Sequence, residues 1–82
     1  MDERERTDEG FLREAIALAV ANVRAGTGGP FGALVVRGGE VIGRGTNRVT
    51  SSHDPTAHAE VMAIREACAR LGTHALAGAV LY

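Results

Sequence analysis

Residues 31–46 constrain the fold of this chain most. Phe31-Gly32-Ala33-Leu34-Val35-Val36-Arg37 and Glu40-Val41-Ile42-Gly43-Arg44-Gly45-Thr46 read as two strands joined at Gly38-Gly39, a two-residue hairpin signal. In the first strand Leu34, Val35 and Val36 are apolar in succession. A strand with one wet face alternates, so this one has no wet face and needs cover on both sides. The second strand is weakened by Gly43 and Gly45, which indicate a bulge or the close approach of another backbone.

The flanking sequence supplies the cover. Phe11, Leu12, Ala15, Ile16, Ala19, Val20 and Val23 recur at helical spacing and form one apolar stripe. Thr7, Asp8 and Glu9 are capping candidates and Gly26 fits a stop, which predicts a helix over residues 8–25, with residues 1–10 as a polar lead-in. Residues 26–30 (GTGGP) break the chain into a loop. Residues 47–55 (NRVTSSHDP) are turn chemistry, and so long a connection in a small domain is often functional. A second helix is expected from a cap near Thr56 to Leu71, stopped by Gly72, and residues 79–82 read as a third strand. The order helix, strand, strand, helix, strand implies an α/β fold: a mixed sheet with helices packed on it and the last strand at an open edge.

Composition narrows the function classes. With 82 residues there is room for one small domain, and 45% hydrophobic against 23% charged residues describes a globular chain rather than a disordered one. No apolar run approaches the roughly 20 residues of a membrane span, and the charged start, Met1 to Arg6, does not resemble a signal peptide. Nine basic residues, all Arg, stand against ten acidic ones for a net charge of −1, so the broad positive field of a nucleic-acid binder is missing. A single cysteine excludes an internal disulfide and a Cys-only metal site, and agrees with a reducing cytoplasm.

His58 and Glu60 are the residues with chemical promise. Two positions apart, they lie about 200° around an ideal helix and could not serve one site from mid-helix. At a helix N-terminus both side chains can bend over the open end, where unpaired N–H groups and a partial positive charge favour an anion. Taken alone, this spacing also describes ordinary surface residues. Likewise Asn47 taken alone could be a strand-end cap, Phe31 a core residue and Met62 packing. Cys68 is expected on the inner face of the second helix beside Ile64 and Leu71, about 15 Å along the axis from His58 and so no partner for it. His53 and His74 lie in turn segments and read as surface residues.

Several stretches together change the reading: Gly29-Pro30-Phe31-Gly32-Ala33, Asn47-Arg48-Val49-Thr50-Ser51-Ser52, and Asp54-Pro55-Thr56-Ala57-His58-Ala59-Glu60-Val61. From about residue 29 onward the chain resembles the zinc-dependent cytidine/deoxycytidylate deaminase superfamily, and within it the guanine deaminase-like branch. The resemblance implies α/β/α layers, with His58 as a zinc ligand and Glu60 as the carboxylate that moves a proton from metal-bound water to the substrate. It further implies that Asn47 hydrogen-bonds the base, Phe31 lines its pocket and the Ala59 N–H touches it. Zinc lowers the pKa of bound water to about 7, which suits hydrolysis at neutral pH.

The family takes its remaining ligands from a P-C-x-x-C segment, which this sequence does not contain. The expectation is therefore that residues 1–82 form the N-terminal part of one deaminase domain, inactive and without tight zinc when alone. A small purine base is the expected ligand, with neither nucleic acid nor membrane as partner. A homodimer or a complementing C-terminal fragment are the open alternatives for assembly. Two other readings stand beside guanine deamination: a tRNA adenosine or other nucleoside deaminase, and a non-catalytic half-domain associating through its open sheet edge.

Overall fold

A computed structural model describes residues 7–82. The expected lead-in over residues 1–10 is thus covered only from Thr7 onward, and its first six residues lie outside the described ones. The elements are α1 (Asp8–Arg24), β1 (Gly32–Arg37), β2 (Glu40–Thr46), α2 (Ala59–Leu71) and β3 (Val80–Leu81). Thr7 caps α1 by accepting a hydrogen bond from the Gly10 amide at 3.3 Å, and Asp8, Glu9 and Arg24 complement the helix dipole at its two ends. Gly72 ends α2 in the left-handed conformation.

The strands lie in the order β2-β1-β3 and both pairings are antiparallel. The expected mixed sheet is therefore corrected for these strands. The crossover through α2 does return the chain parallel to β2, but β1 lies between β2 and β3, so no parallel pair forms. β3 lies at an edge, and Leu34 and Tyr82 exchange backbone hydrogen bonds of 2.9 and 3.1 Å at its end. The register of β1 against β2 shifts between Val35 and Val36, opposite Gly43 and Val41, leaving Ile42 as the extra residue of a bulge.

The helices sandwich the sheet. Leu34, Val36 and Val41 join Phe11 and Ala15 in one buried cluster on the α1 side. Ala33, Val35 and Ile42 join Ala59, Ala63 and Ala67 in another on the α2 side. This alternation along β1 is why its apolar residues run without interruption. On the α2 side the contact is backbone against backbone. A Cβ on Gly43 would overlap the carbonyl oxygen of Ala63, and one on Gly45 would overlap the Ala59 carbonyl and the Ala63 amide. Both glycines are close-approach positions, and three alanines on α2 match them. The inner face of α2 is this alanine row. Cys68 is only partly buried and Ile64 is exposed, which corrects the expected packing of Cys68 beside Ile64 on the inner face.

The apolar stripe of α1 is also divided. At roughly 100° per residue, Phe11, Ala15, Leu18 and Asn22 form one row and Leu12, Ile16, Ala19 and Val23 another, about 100° away. The sheet covers the first row, while Leu12, Ile16, Val20 and Val23 remain exposed. No helix among the described residues is long and apolar enough to cross a membrane.

α2 also closes the outer edge of β2. The Arg44 amide donates to Glu66 Oε1 at 3.1 Å, and Arg70 Nη1 donates to the Val41 carbonyl at 3.2 Å.

Candidate active site

The chain from Asn47 to His58 is held by its own turns and by the sheet. The Asn47 amide donates to the Phe31 carbonyl at 3.3 Å, and the Arg48 amide donates to the Ala57 carbonyl at 2.9 Å. This second bond draws the loop after β2 against the segment leading into α2. Between them Asp54 organises a tight turn: its Oδ1 accepts from the Thr56 amide at 2.8 Å and from the Thr56 hydroxyl at 2.7 Å, and its carbonyl accepts from the Ala57 amide at 3.1 Å. These bonds, with the Arg65 guanidinium 3.6 Å away, hold the Asp54 carboxyl below its ordinary pKa, and the Thr56 hydroxyl bond contributes most.

That turn explains where α2 begins. Residues 54–57 are committed to turn hydrogen bonds, so the helix starts at Ala59 and not near Thr56 as its capping pattern predicts. His58 is the N-cap, with extended backbone angles of −70° and 153° and no capping hydrogen bond from its side chain. It therefore escapes the helical rotation that would separate it from Glu60. Its Nδ1 lies 3.4 Å from Glu60 Oε1, and the two side chains are 57% and 50% exposed. Ala59, the first helical residue, is buried, and its N–H has no acceptor within the helix.

Phe31 and Asn47 form a second pair. Both the Phe31 ring and the Asn47 carboxamide lie just under 4 Å from where a Cβ on Gly29 would stand. The Asn47 Oδ1 accepts from the Val49 amide at 3.2 Å. With its oxygen engaged there, the carboxamide keeps its NH2 for another acceptor. Phe31 is 59% exposed, so it is not core. The two pairs are joined through the Arg48–Ala57 hydrogen bond.

Other candidates stay apart. His53 and His74 are exposed in turns, and His53 has a positive φ of 53°. Among the described residues no group of three or more His, Cys, Asp or Glu side chains could hold a metal ion. A cavity of about 760 Å³ opens at the β2 edge, lined among others by Arg44, Arg48, Ser52, Met62 and Arg65, and none of the four paired residues lines it. Two of its arginines face carboxylates, Arg44 Nε bonding Glu14 at 2.6 Å and Arg65 lying near Asp54, while Arg48 Nε bonds the Thr46 hydroxyl.

Two residues with structural bearing on these pairs have no role in the sequence reading. Asp54 was legible as Asp-Pro-Thr turn chemistry. Asn22 carried a fainter signal, a polar residue in register with Phe11, Ala15 and Leu18.

The family model described as the cytidine and deoxycytidylate deaminase zinc-binding region matches residues 5–82. The guanine deaminase of Bacillus subtilis (strain 168) is 55% identical over 74 residues, which cover 90% of this chain and 47% of that protein. The tRNA-specific adenosine deaminase of Aquifex aeolicus (strain VF5) is 53% identical over 53 residues, 65% of this chain and 35% of that protein. The crystal structure of guanine deaminase from Bacillus subtilis superposes with a TM-score of 0.92 at 53% identity, covering 94% of this chain and 49% of the other. The chain thus spans about half the length of the guanine deaminase it matches.

Proposed function

Because the chain belongs to the cytidine and deoxycytidylate deaminase zinc-binding family, we propose that its protein hydrolyses the exocyclic amine of a purine base, converting guanine and water to xanthine and ammonia. The observation that carries this reading is the His58–Glu60 pair, brought within 3.4 Å at the mouth of α2, with the segment that carries it bonded to the segment that carries Asn47 through Arg48 and Ala57. Phe31 offers a ring face to a planar base. The NH2 of Asn47 donates to a purine carbonyl or ring nitrogen, and the Ala59 N–H is a further donor at a helix start. Glu60 is the proton carrier. Water adds at the amine-bearing carbon, Glu60 takes its proton and passes it to the departing nitrogen, and the carbon–nitrogen bond breaks to release ammonia.

Zinc belongs to this reading with His58 as one ligand. The described residues do not complete a metal site by themselves, so the reading needs further ligands from a segment outside them, such as the P-C-x-x-C pattern. Residues 1–82 are then one part of a deaminase domain, and the completing segment comes from the same chain or from a partner chain. The reading also assigns the protein to a reducing cytoplasm, where Cys68 stays a thiol.

Ammonia release from guanine by the full-length protein, with metal analysis of the same sample, tests the proposal. Turnover is expected, with loss of about 10²–10⁴-fold in Glu60→Gln. Full activity in that variant rejects the role of Glu60. Adenosine deamination in tRNA is the second reading, favoured by the Aquifex relative. A higher kcat/KM on tRNA than on guanine selects it. The near-neutral charge of this chain argues for the free base.

A further inference from the structure

We propose that Asn22, remote from the reacting atoms, is a positioning residue that holds the two base-facing loops in register. The inference rests on the assignment of Asn47 and Phe31 to base recognition. Asn22 lies near the end of α1 on the row that faces the sheet and is only 4% exposed. Asparagine is a poor helix former, and at this depth a carboxamide is tolerated only when its polar atoms are bonded. Here they are. Nδ2 donates to the Gly29 carbonyl at 3.0 Å and to the Asn47 carbonyl at 2.9 Å. Oδ1 accepts from the Thr27 hydroxyl at 2.7 Å, which fixes the amide with its NH2 toward the two loops.

The two carbonyls belong to different segments, one in the loop that leads to Phe31 and one in Asn47 itself, whose side-chain NH2 is the base donor of the proposed function. One NH2 group therefore sets the distance between the ring and the donor. The space around it is full. A Cβ on Gly28 would overlap the Asn47 carbonyl oxygen and crowd Asn22 Nδ2. The Asn47 amide closes the arrangement by donating to the Phe31 carbonyl. A leucine at position 22 would keep helix and packing but leave both carbonyls without their donor. An aspartate would set negative oxygen against them.

The proposal separates from a merely stabilising role by which kinetic constant moves. Asn22 touches neither Glu60 nor His58, so loosened loops weaken base binding and leave the proton carrier in place. In the full-length protein Asn22→Leu is expected to raise KM for guanine about tenfold with kcat within about twofold. Thr27→Val, which only frees the amide to turn, is expected to raise KM in the same direction by about threefold and to fold normally. Hydrogen exchange gives a readout that needs no substrate: in both variants the Asn47 amide exchanges faster while amides within α2 do not change. Unchanged KM and unchanged Asn47 exchange overturn the proposal, as does a fall in kcat alone. Wild-type protein inert toward guanine rejects the base assignment instead, and the exchange result then decides the loop-holding role by itself.

Discussion

The two helices cover opposite faces of one sheet by the same means in different proportions. α2 lies against β2 on alanines and glycines, backbone close to backbone, and its whole inner row is buried. α1 comes backbone to backbone at one glycine, where a Cβ on Gly32 would overlap the Ala15 carbonyl oxygen, and otherwise reaches the sheet with Phe11 and Leu18 and leaves a second apolar row in the open. The difference follows the positions each helix must fix. α2 carries His58 and Glu60 at its first turn, and small residues allow only one depth and register there. α1 carries only Asn22 toward the site, through a side chain long enough to span the gap.

Truncation and enlargement should therefore injure the two faces to different degrees. Truncation should hurt α1 most. Phe11→Ala removes a ring that is 3% exposed and lies 5.2 Å from that of Tyr82, and is expected to cost about 3–5 kcal/mol in denaturant unfolding. Enlargement should hurt α2. Gly45→Ala adds one methyl where the Ala59 carbonyl and Ala63 amide already stand, and is expected to cost about 1–3 kcal/mol. A neutral result there would mean that α2 can retreat, and the contrast between the faces would be lost.

Acid should act on the α2 side through Asp54. The Asp54 carboxyl is held below the 3.8 of a free aspartate, so its contribution is present above that value and is lost as pH falls through the lower folded value. Loosening of the turn before His58, followed by amide chemical shifts at Thr56 and Ala57, is expected below about pH 4 and should vanish in Asp54→Asn. The smallest effect is expected on the outer row of α1. Ile16 is 63% exposed, and Ile16→Lys should change stability by less than about 0.5 kcal/mol. A larger loss would show that this row is covered in solution.

The hairpin was legible because turn chemistry and uninterrupted apolar residues are local signals. So was the order of elements, and of the two alternatives read at Gly43 and Gly45 both glycines take the close approach, with the bulge at neighbouring Ile42. Which row of the α1 stripe meets the sheet was not legible, because both rows are apolar and only tertiary packing chooses between them. The start of α2 was misplaced by two residues, since Thr56 has the chemistry of a cap but its hydroxyl and amide are taken by Asp54. The strand directions escaped because a crossover says nothing of how many strands it passes over. At the site, the pairing of His58 with Glu60 could be anticipated from the helix end. The link from Asn22 to Asn47, 25 residues apart, could not, since no local pattern encodes it.

The bonds from Arg44 to Glu66 and from Arg70 to Val41 have a consequence for self-association. An outer strand normally presents a row of vacant donors and acceptors to which a second molecule can add its own strand. On β2 a vacant donor and a vacant acceptor are occupied from within by α2, and a neighbouring chain would have to displace both side chains to extend the sheet there. The helix that carries the candidate chemistry at its first turn thus guards, over its remaining turns, the molecule's solitude at that edge.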